Sequence, residues 1–338
     1  MAADRLTDPV RSEDEDDFNR EEQTLRPKTF SEIVGREREK KTLQILIEAA
    51  RRRGEALDHV LLHGPPGLGK TSIAHVIANE ADVPLYITSG PAIERKGDLA
   101  SILTNIEDKG ILFIDEIHRL NRAVEEVLYS AMEDRAIDIV LGKGPAAKSI
   151  RLELNALTII GATTRAGSLS APLRDRFGLD LRLDYYSDTE LLQLILQKAR
   201  VLQVALEDGA AAEIARRARR TPRIAIRLLK RVRDFSQVEG TDGIITAAHA
   251  DKAFRLLGVD GQGLDELDRR ILGYAIEHFN GGPVGLQALA AGLSEDLTTL
   301  QDVYEPFLLQ AGFIARTPRG RVVTEKGMRY YQNHDAQN

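Results

Sequence analysis

An eight-residue segment, Gly64-Pro65-Pro66-Gly67-Leu68-Gly69-Lys70-Thr71, limits what this chain can become more than any other stretch of it. It has the form G-x-x-x-x-G-K-[ST] and lies between an apolar run, His59-Val60-Leu61-Leu62, and a stretch with helical apolar spacing, Thr71–Glu80. A strand that turns on glycines into a helix is the first half of a βαβ unit, since parallel strands need a crossover of a dozen or more residues. Strand-like runs recur at Pro84–Thr88, Ile111–Ile114 and Leu157–Ile160, with helical spacing at about Asp98–Asn105 and Arg122–Met132, and ahead of them at Arg36–Arg53. The alternation predicts an α/β fold: a parallel sheet with helices on both faces. Residues Ile137–Leu154 interrupt it. Two alternating runs flank Gly142-Lys143-Gly144-Pro145, which reads as an inserted β-hairpin.

The glycine loop has a physical purpose. Glycines let backbone N–H groups curl around phosphate oxygens, and the N-terminus of the following helix adds positive potential. Gly67, Gly69, Lys70, Thr71 and Ser72 are the expected phosphate-binding set, with Lys70 on the β- and γ-phosphates and the Thr71 hydroxyl on Mg²⁺. Ile111-Leu112-Phe113-Ile114 ends in Asp115-Glu116. Four apolar residues in a row imply a strand covered on both faces. Alone, an acidic pair at a strand end is more often a cap or a surface feature. One βαβ unit after the loop, it suits a Walker B element: Asp115 holds Mg²⁺ through water, and Glu116 orients the attacking water. ATP and Mg²⁺ are therefore the expected ligands.

The formal charge of −6 is uneven. Residues 1–24 hold nine acids and three arginines, a net −6, so residues 25–338 are neutral overall. That acidic, apolar-poor tail cannot offset its own ordering entropy and is expected to be disordered. No apolar run approaches the ~20 residues that cross a bilayer, and residues 1–8 lack a signal-peptide pattern. With no cysteine, disulfides and thiolate metal sites are excluded, which fits a reducing cytoplasm. Scattered histidines offer no metal-ligand spacing.

Beyond about Tyr186 the expected strands stop. Helical spacing runs through Thr189–Leu202, Asp208–Arg219, Pro222–Phe235 and Thr246–Leu256, and Gly258–Gly263 reads as a linker. Leu264–Tyr331 gives three helices (Asp268–His278, Gly285–Gly292, Glu295–Gln310) and two strands (Phe313–Arg316, Arg321–Thr324), the pattern of a winged helix. Arg316, Arg319, Arg321, Lys326 and Arg329 face one acid, Glu325, around the wing, which suits phosphate contact. The third helix offers Glu295, Asp296, Asp302 and Glu305 but no arginine or lysine, so binding without base reading is expected. The expected division is 1–24 tail, 25–185 sheet domain, 186–257 helical domain and 258–338 winged helix. A dense basic stretch, Arg216 to Arg233, reads mostly as a solvated helix face.

The loop, Asp115-Glu116-Ile117-His118, Gly161–Gly167, Pro172–Gly178 and Thr221-Pro222-Arg223 together resemble the RuvB family of AAA+ Holliday-junction branch-migration ATPases, over about Leu25–Gly327. The resemblance implies an AAA+ P-loop domain with a β-hairpin insertion, a small helical lid and a C-terminal winged helix. It makes Thr164 sensor 1, Arg176 an arginine finger reaching a neighbour's ATP, and Arg223 sensor 2. Leu25, Arg26 and Tyr186 would border adenine, and Glu133-Asp134-Arg135 would lie near the neighbour's nucleotide. Spacing by itself does not choose between Arg174 and Arg176, and a surface ion pair is the plainer reading of both. The resemblance also implies a homohexameric ring on duplex DNA arms, contacts by Arg316 and Arg321, docking of RuvA on the Ile137–Leu154 hairpin through Ile137, Ile139 and Leu141, and co-operation with the RuvC resolvase. Tyr129-Ser130-Ala131-Met132, Asn155-Ala156-Leu157 and Ile226 depart from the family pattern. Other AAA+ proteins of clamp-loader or helicase-loader type, and a nucleotide-regulated winged-helix regulator, share several of these parts.

Overall fold

The computed structural model describes residues 24–141, 148–239 and 243–335, the side chains of 139–141, 148, 149, 334 and 335 excepted. The acidic tail and the Gly142–Pro145 turn lie outside these residues. The chain divides into two compact units at Asp184 and Tyr185.

In the first unit, α1 (Glu37–Arg53) leads into β1 (Val60–His63), the glycine loop and α2 (Lys70–Ala81). Then follow β2 (Leu85–Ser89), α3 (Lys96–Thr104), β3 (Ile111–Asp115), α4 (Arg122–Asp134), β4 (Ala136–Leu141), β5 (Lys148–Glu153), β6 (Thr158–Thr163), α5 (Ala171–Arg174) and β7 (Leu179–Arg182). The sheet is parallel in the order β2-β3-β6-β1-β7. Its central strands are apolar in their middle residues because helices cover both faces; Leu61, Leu62, Leu112, Phe113, Ile114, Ile159 and Ile160 are fully buried. The edge strand β7 is absent from the sequence-based expectation. Its four residues, Leu-Asp-Leu-Arg, alternate with the polar ones exposed, too short a run to announce itself.

The inserted hairpin forms as predicted in kind, β4 against β5 antiparallel, Ala136 opposite Glu153 and Leu141 opposite Lys148. Ile137 was expected on an exposed docking face. It is instead 1% exposed and belongs to the core of the sheet domain, where Leu152, its partner across the ladder, also packs. The hairpin base is thus an extension of the core. Farther out, Ile150 is exposed and pairs with Ile139; the Ile139 and Leu141 side chains lie outside the described residues.

The second unit holds α6 (Asp188–Val201), β8 (Ala205–Leu206), α7 (Asp208–Arg217), α8 (Pro222–Val238), β9 (Ile244–Ile245), α9 (Ala247–Leu256), α10 (Glu266–Phe279) and α11 (Leu286–Leu293). Next, α12 starts at Leu297–Thr299, widens to a π turn over Leu300–Tyr304 and closes as Glu305–Gln310, before β10 (Ile314–Thr317), β11 (Gly320–Val323) and α13 (Glu325–Asp335). The parallel pairing of β8 with β9, and α13, were not predicted. Arg321 also bridges backbone to backbone with Val284, which brings a third segment against the wing.

Gly258–Gly263 is packed, correcting its reading as a linker. Asp260 accepts bonds from the N–H groups of Gln262 and Leu264 (2.8 and 3.0 Å), and the Tyr330 hydroxyl donates to it. Gly263 has φ 81°, and a Cβ there would lie 2.9 Å from the Arg217 carbonyl oxygen. Only glycine fits. Arg219 closes this junction: its guanidinium donates to Gly263 O (2.9 Å), Asp265 (2.9 Å) and Asp268 (2.5 Å), and lies over the Phe307 ring. Arg217 and Lys230 are buried as well, so the solvated reading of the basic stretch holds for Arg216, Arg220, Arg223, Arg227 and Arg231 and not for these three.

Candidate nucleotide and DNA sites

Three strand ends meet at one edge of the sheet. His63 is level with Thr163, and Ile114 with Gly161, so the glycine loop, Asp115-Glu116 and Thr163-Thr164 leave neighbouring strands together. This is the crevice outside the carboxyl ends of parallel strands where ligands bind in such sheets. The Gly64 N–H donates to Thr163 O (3.2 Å), fastening the loop to the adjacent strand. Gly64 has φ 141°, and a Cβ there would stand 2.3 Å from Leu183 O; Gly67 (φ 76°) and Gly69 (φ 88°) are left-handed too. The loop therefore needs glycine where the family pattern has it.

Lys70 begins α2 and is buried, its ammonium donating to Gly64 O and Pro65 O, both at 2.9 Å. Thr71 and Ser72 follow on the first turn of this twelve-residue helix, with the dipole and free N–H groups of its N-terminus. Asp115 ends β3 and accepts the Glu116 N–H (2.9 Å). Glu116 is held at φ 49°, ψ 41°, a left-handed conformation costly for a residue with a Cβ and typical of strain kept at working sites. Hydroxyl and carboxylate oxygens are the hard donors Mg²⁺ takes, and that ion needs only one or two carboxylates beside phosphate and water. The donor set fits it. Among the described residues no cluster of three or more His, Asp or Glu gathers as a metal cage.

His118 was not assigned a role from sequence. Its Nε2 lies 3.4 Å from Glu116 and its Nδ1 bonds the Thr163 hydroxyl at 2.9 Å, so it ties the acidic strand end to the strand that carries Thr164. Its place two residues after the acidic pair was the available signal. Leu25 is buried, and Arg26 bonds His75 of α2 at 3.1 Å, which brings the amino-terminal segment to the helix carrying Lys70. In the second unit, the Tyr186 N–H donates to Arg220 O (3.1 Å), and Arg223 is exposed on the first turn of α8, after Pro222 at N1. Tyr186 itself is buried.

Arg174 and Arg176 are now distinguishable. Arg174 donates through two nitrogens to Asp180, which also meets His63 at 2.8 Å. Arg176 lies against the carboxyl-terminal half of α4: over the Tyr129 ring, 2.9 Å from Glu133, and donating to Pro172 O at 2.5 Å. Glu133, Asp134 and Arg135 are all exposed at the end of that helix. Phe177 anchors the segment from behind. Gly161 leaves it room beside Ile117, since a Cβ at 161 would meet Phe177 at 2.9 Å and Ile117 at 3.0 Å.

The wing holds a surprise for the two expected DNA contacts. Arg316 is 61% exposed, 3.6 Å from Glu305. Arg321 turns inward, and its fork grips buried Glu305 at 2.7 and 3.0 Å, leaving the side chain 16% exposed. The two arginines are thus unequal, because one already neutralises an acid of α12. Arg319, Lys326 and Arg329 are exposed with Arg316. On α12, Asp296 caps the first turn and Glu305 is buried, so those acids serve the fold.

A glycine phosphate loop central to a parallel sheet, an acidic pair on a nearby strand and a helical lid followed by a winged helix define an AAA+ protein of the P-loop ATPase class. Residues 25–183 match the Holliday junction DNA helicase RuvB P-loop domain, 186–260 the RuvB AAA lid domain, and 261–332 the RuvB C-terminal winged helix domain. The chain belongs to the RuvB family. The RuvB Holliday junction branch migration motor of Thermotoga maritima is 52% identical, with TM-score 0.84, over 92% of this chain and 99% of that one. A mutant of that protein matches at 52% and 0.84, over 91% and 98% of the two chains.

Proposed function

We propose that this chain is the ATP-hydrolysing motor subunit of Holliday junction branch migration, acting in recombination and DNA repair. The convergence of the glycine loop, Asp115-Glu116 and Thr163-Thr164 on one sheet edge carries the reading, in a chain that also bears a RuvB winged helix. Residues 25–185 are the ATPase domain, 186–257 the lid and 258–338 the DNA-binding head. Gly67, Gly69, Thr71 and Ser72 hold the phosphates, and Lys70 exchanges two loop carbonyls for β- and γ-phosphate oxygens. Thr71, and Asp115 through water, would hold Mg²⁺, which neutralises phosphate charge when bound. Glu116, steadied by His118, orients the attacking water, and Thr164 senses the γ-phosphate. Leu25, Arg26 and Tyr186 enclose adenine, and Arg223 brings the lid onto the phosphates.

Arg176 completes the site of the next subunit, with Glu133, Asp134 and Arg135 beside that nucleotide. A finger in trans is worth ~10³–10⁵ in rate, so hydrolysis follows assembly, here a homohexamer around duplex DNA. The wing grips the DNA backbone through Arg316, and through Arg321 once Glu305 yields it. The outer part of the β4–β5 hairpin docks RuvA, and RuvC resolves the junction that the ring moves.

The test is ATP-driven dissociation of a synthetic four-way junction, with and without RuvA. Lys70→Ala should abolish both dissociation and hydrolysis, and Arg176→Ala should abolish hydrolysis while sparing nucleotide binding. Wild-type hydrolysis by Arg176→Ala would remove the finger, and sequence-specific duplex binding without junction activity would favour a winged-helix regulator.

A further inference from the structure

Arg176 is useful to a neighbour only if a long, flexible side chain is aimed before the neighbour's phosphates arrive, and the residues that aim it can be read from its surroundings. It follows α5, a helix of four residues, far too short to hold a position by its own hydrogen bonds. Packing must do so. Ser170, the residue before α5, and the Tyr129 hydroxyl both donate to the Glu125 carboxylate (2.8 and 2.6 Å), and the two hydroxyl oxygens lie 2.9 Å apart. Glu125 is itself buried in α4. This closed set of three groups fastens the start of α5 to α4, while Phe177 fixes the far side of Arg176 beside Ile117.

Glu125, Tyr129 and Glu133 are spaced i, i+4, i+8, so they line one face of α4. The guanidinium rests on that face, 4.6 Å above the centre of the Tyr129 ring, with Nη2 toward Glu133. The two contacts differ in kind. Glu133 is 58% exposed, and an ion pair of that sort is screened and readily exchanged for another anion. The Tyr129 ring is carried by α4, and it attracts the cation through its π face whichever anion the nitrogens meet. Burial and the hydrogen bond to Glu125 raise the Tyr129 pKa, so the ring stays neutral and its hydroxyl stays a donor.

We infer that Tyr129 is a positioning residue for the arginine finger, a platform on which Arg176 passes from Glu133 to the phosphates of the adjoining subunit. The inference rests on the reading of Arg176 as the finger. Tyr129 touches no reacting atom; it acts by limiting the directions in which the guanidinium can point.

The experiment is steady-state ATP hydrolysis by the full chain in the presence of duplex DNA, with nucleotide affinity measured separately. Four variants are compared: Tyr129→Leu, Tyr129→Phe, Arg176→Ala and the double variant Tyr129→Leu/Arg176→Ala. Removing the ring should lower kcat about tenfold, equivalent to about 1.4 kcal/mol in the barrier, with KM and nucleotide affinity unchanged. Tyr129→Phe keeps the ring and should retain activity to within about threefold. The double variant should match Arg176→Ala, measured with labelled ATP over long incubations, because a residue acting only through another has no effect once that other is gone. Wild-type kcat in Tyr129→Leu, or an equal loss in Tyr129→Phe, overturns the inference, as does a further loss in the double variant. Wild-type hydrolysis by Arg176→Ala itself would instead show that the finger reading had failed.

Discussion

At the residue scale, the site is built from conformations and pairings that are costly in isolation. Gly64 occupies a backbone region closed to other residues, hard against Leu183 O, and that close approach fixes the first turn of the phosphate loop. Gly64→Ala should lose roughly 2–4 kcal/mol of stability and weaken nucleotide binding with it; a thermal melt with and without nucleotide checks both, and an unchanged Tm would show that the loop has room to move. Lys70 has its ammonium on two carbonyls of the same loop, a ready-made set of bonds that phosphate oxygens can replace. The identities of these residues were legible in sequence because the motif is local: the residues that define it lie within eight positions. His118 was not, because its task joins Glu116 to Thr163, forty-five residues from it.

At the scale of elements, the wing separates two arginines that composition had grouped. Replacing Arg316 by Ala should flatten the dependence of log DNA affinity on log salt by about one unit, the loss of one phosphate contact. Arg321→Ala should behave differently, leaving buried Glu305 with only its longer contact to exposed Arg316 and costing about 3 kcal/mol in the stability of the winged helix. The two are resolved by following salt dependence and thermal unfolding on the same samples. Equal slopes and equal Tm values for the two variants would contradict the assignment. The hairpin teaches the same lesson. Its strands were readable from alternation, but Ile137 was placed on the wrong side, since alternation says which residues share a face and not what covers that face. The departure at Asn155-Ala156-Leu157 has a structural role: the Asn155 amide donates to Ile106 O (2.9 Å), and Leu157 is buried ahead of β6.

At the scale of the whole molecule, Arg219 joins the helical bundle to the winged helix within the second unit, meeting acids 46 and 49 residues away. Arg223, the proposed sensor, lies four residues on, so the segment that carries it is tied through Arg219 to the winged helix. That junction should be pH-sensitive. Burial pushes the Asp268 carboxyl up to about 7, with Arg219 opposing and the nearby Asp265 carboxylate adding. In the unfolded chain the group titrates near 3.9. Because the folded value is the higher, Asp268 contributes its full stabilisation below about pH 4 and loses it progressively as pH rises to about 7. The Tm of Asp268→Asn relative to the wild-type chain should therefore increase between pH 5 and pH 8, the amide being unable to ionise. A difference that does not vary with pH would place the charge elsewhere.

The order of residues alone determined the α/β core, the phosphate loop and the acidic strand end, because each is written in a short window: apolar runs where both faces are covered, glycines where the backbone must curl, a lysine and a threonine at the first turn of a helix. It also gave enough helix and strand spacing to name the winged helix. What tertiary structure decided were the partners of long side chains. Whether Arg176 lies on Tyr129, Arg321 turns to Glu305, Arg219 is buried or Gly258–Gly263 is packed depends on groups brought together from distant positions, and the free energy of a guanidinium is set by the acids and rings it meets, not by its neighbours in the chain.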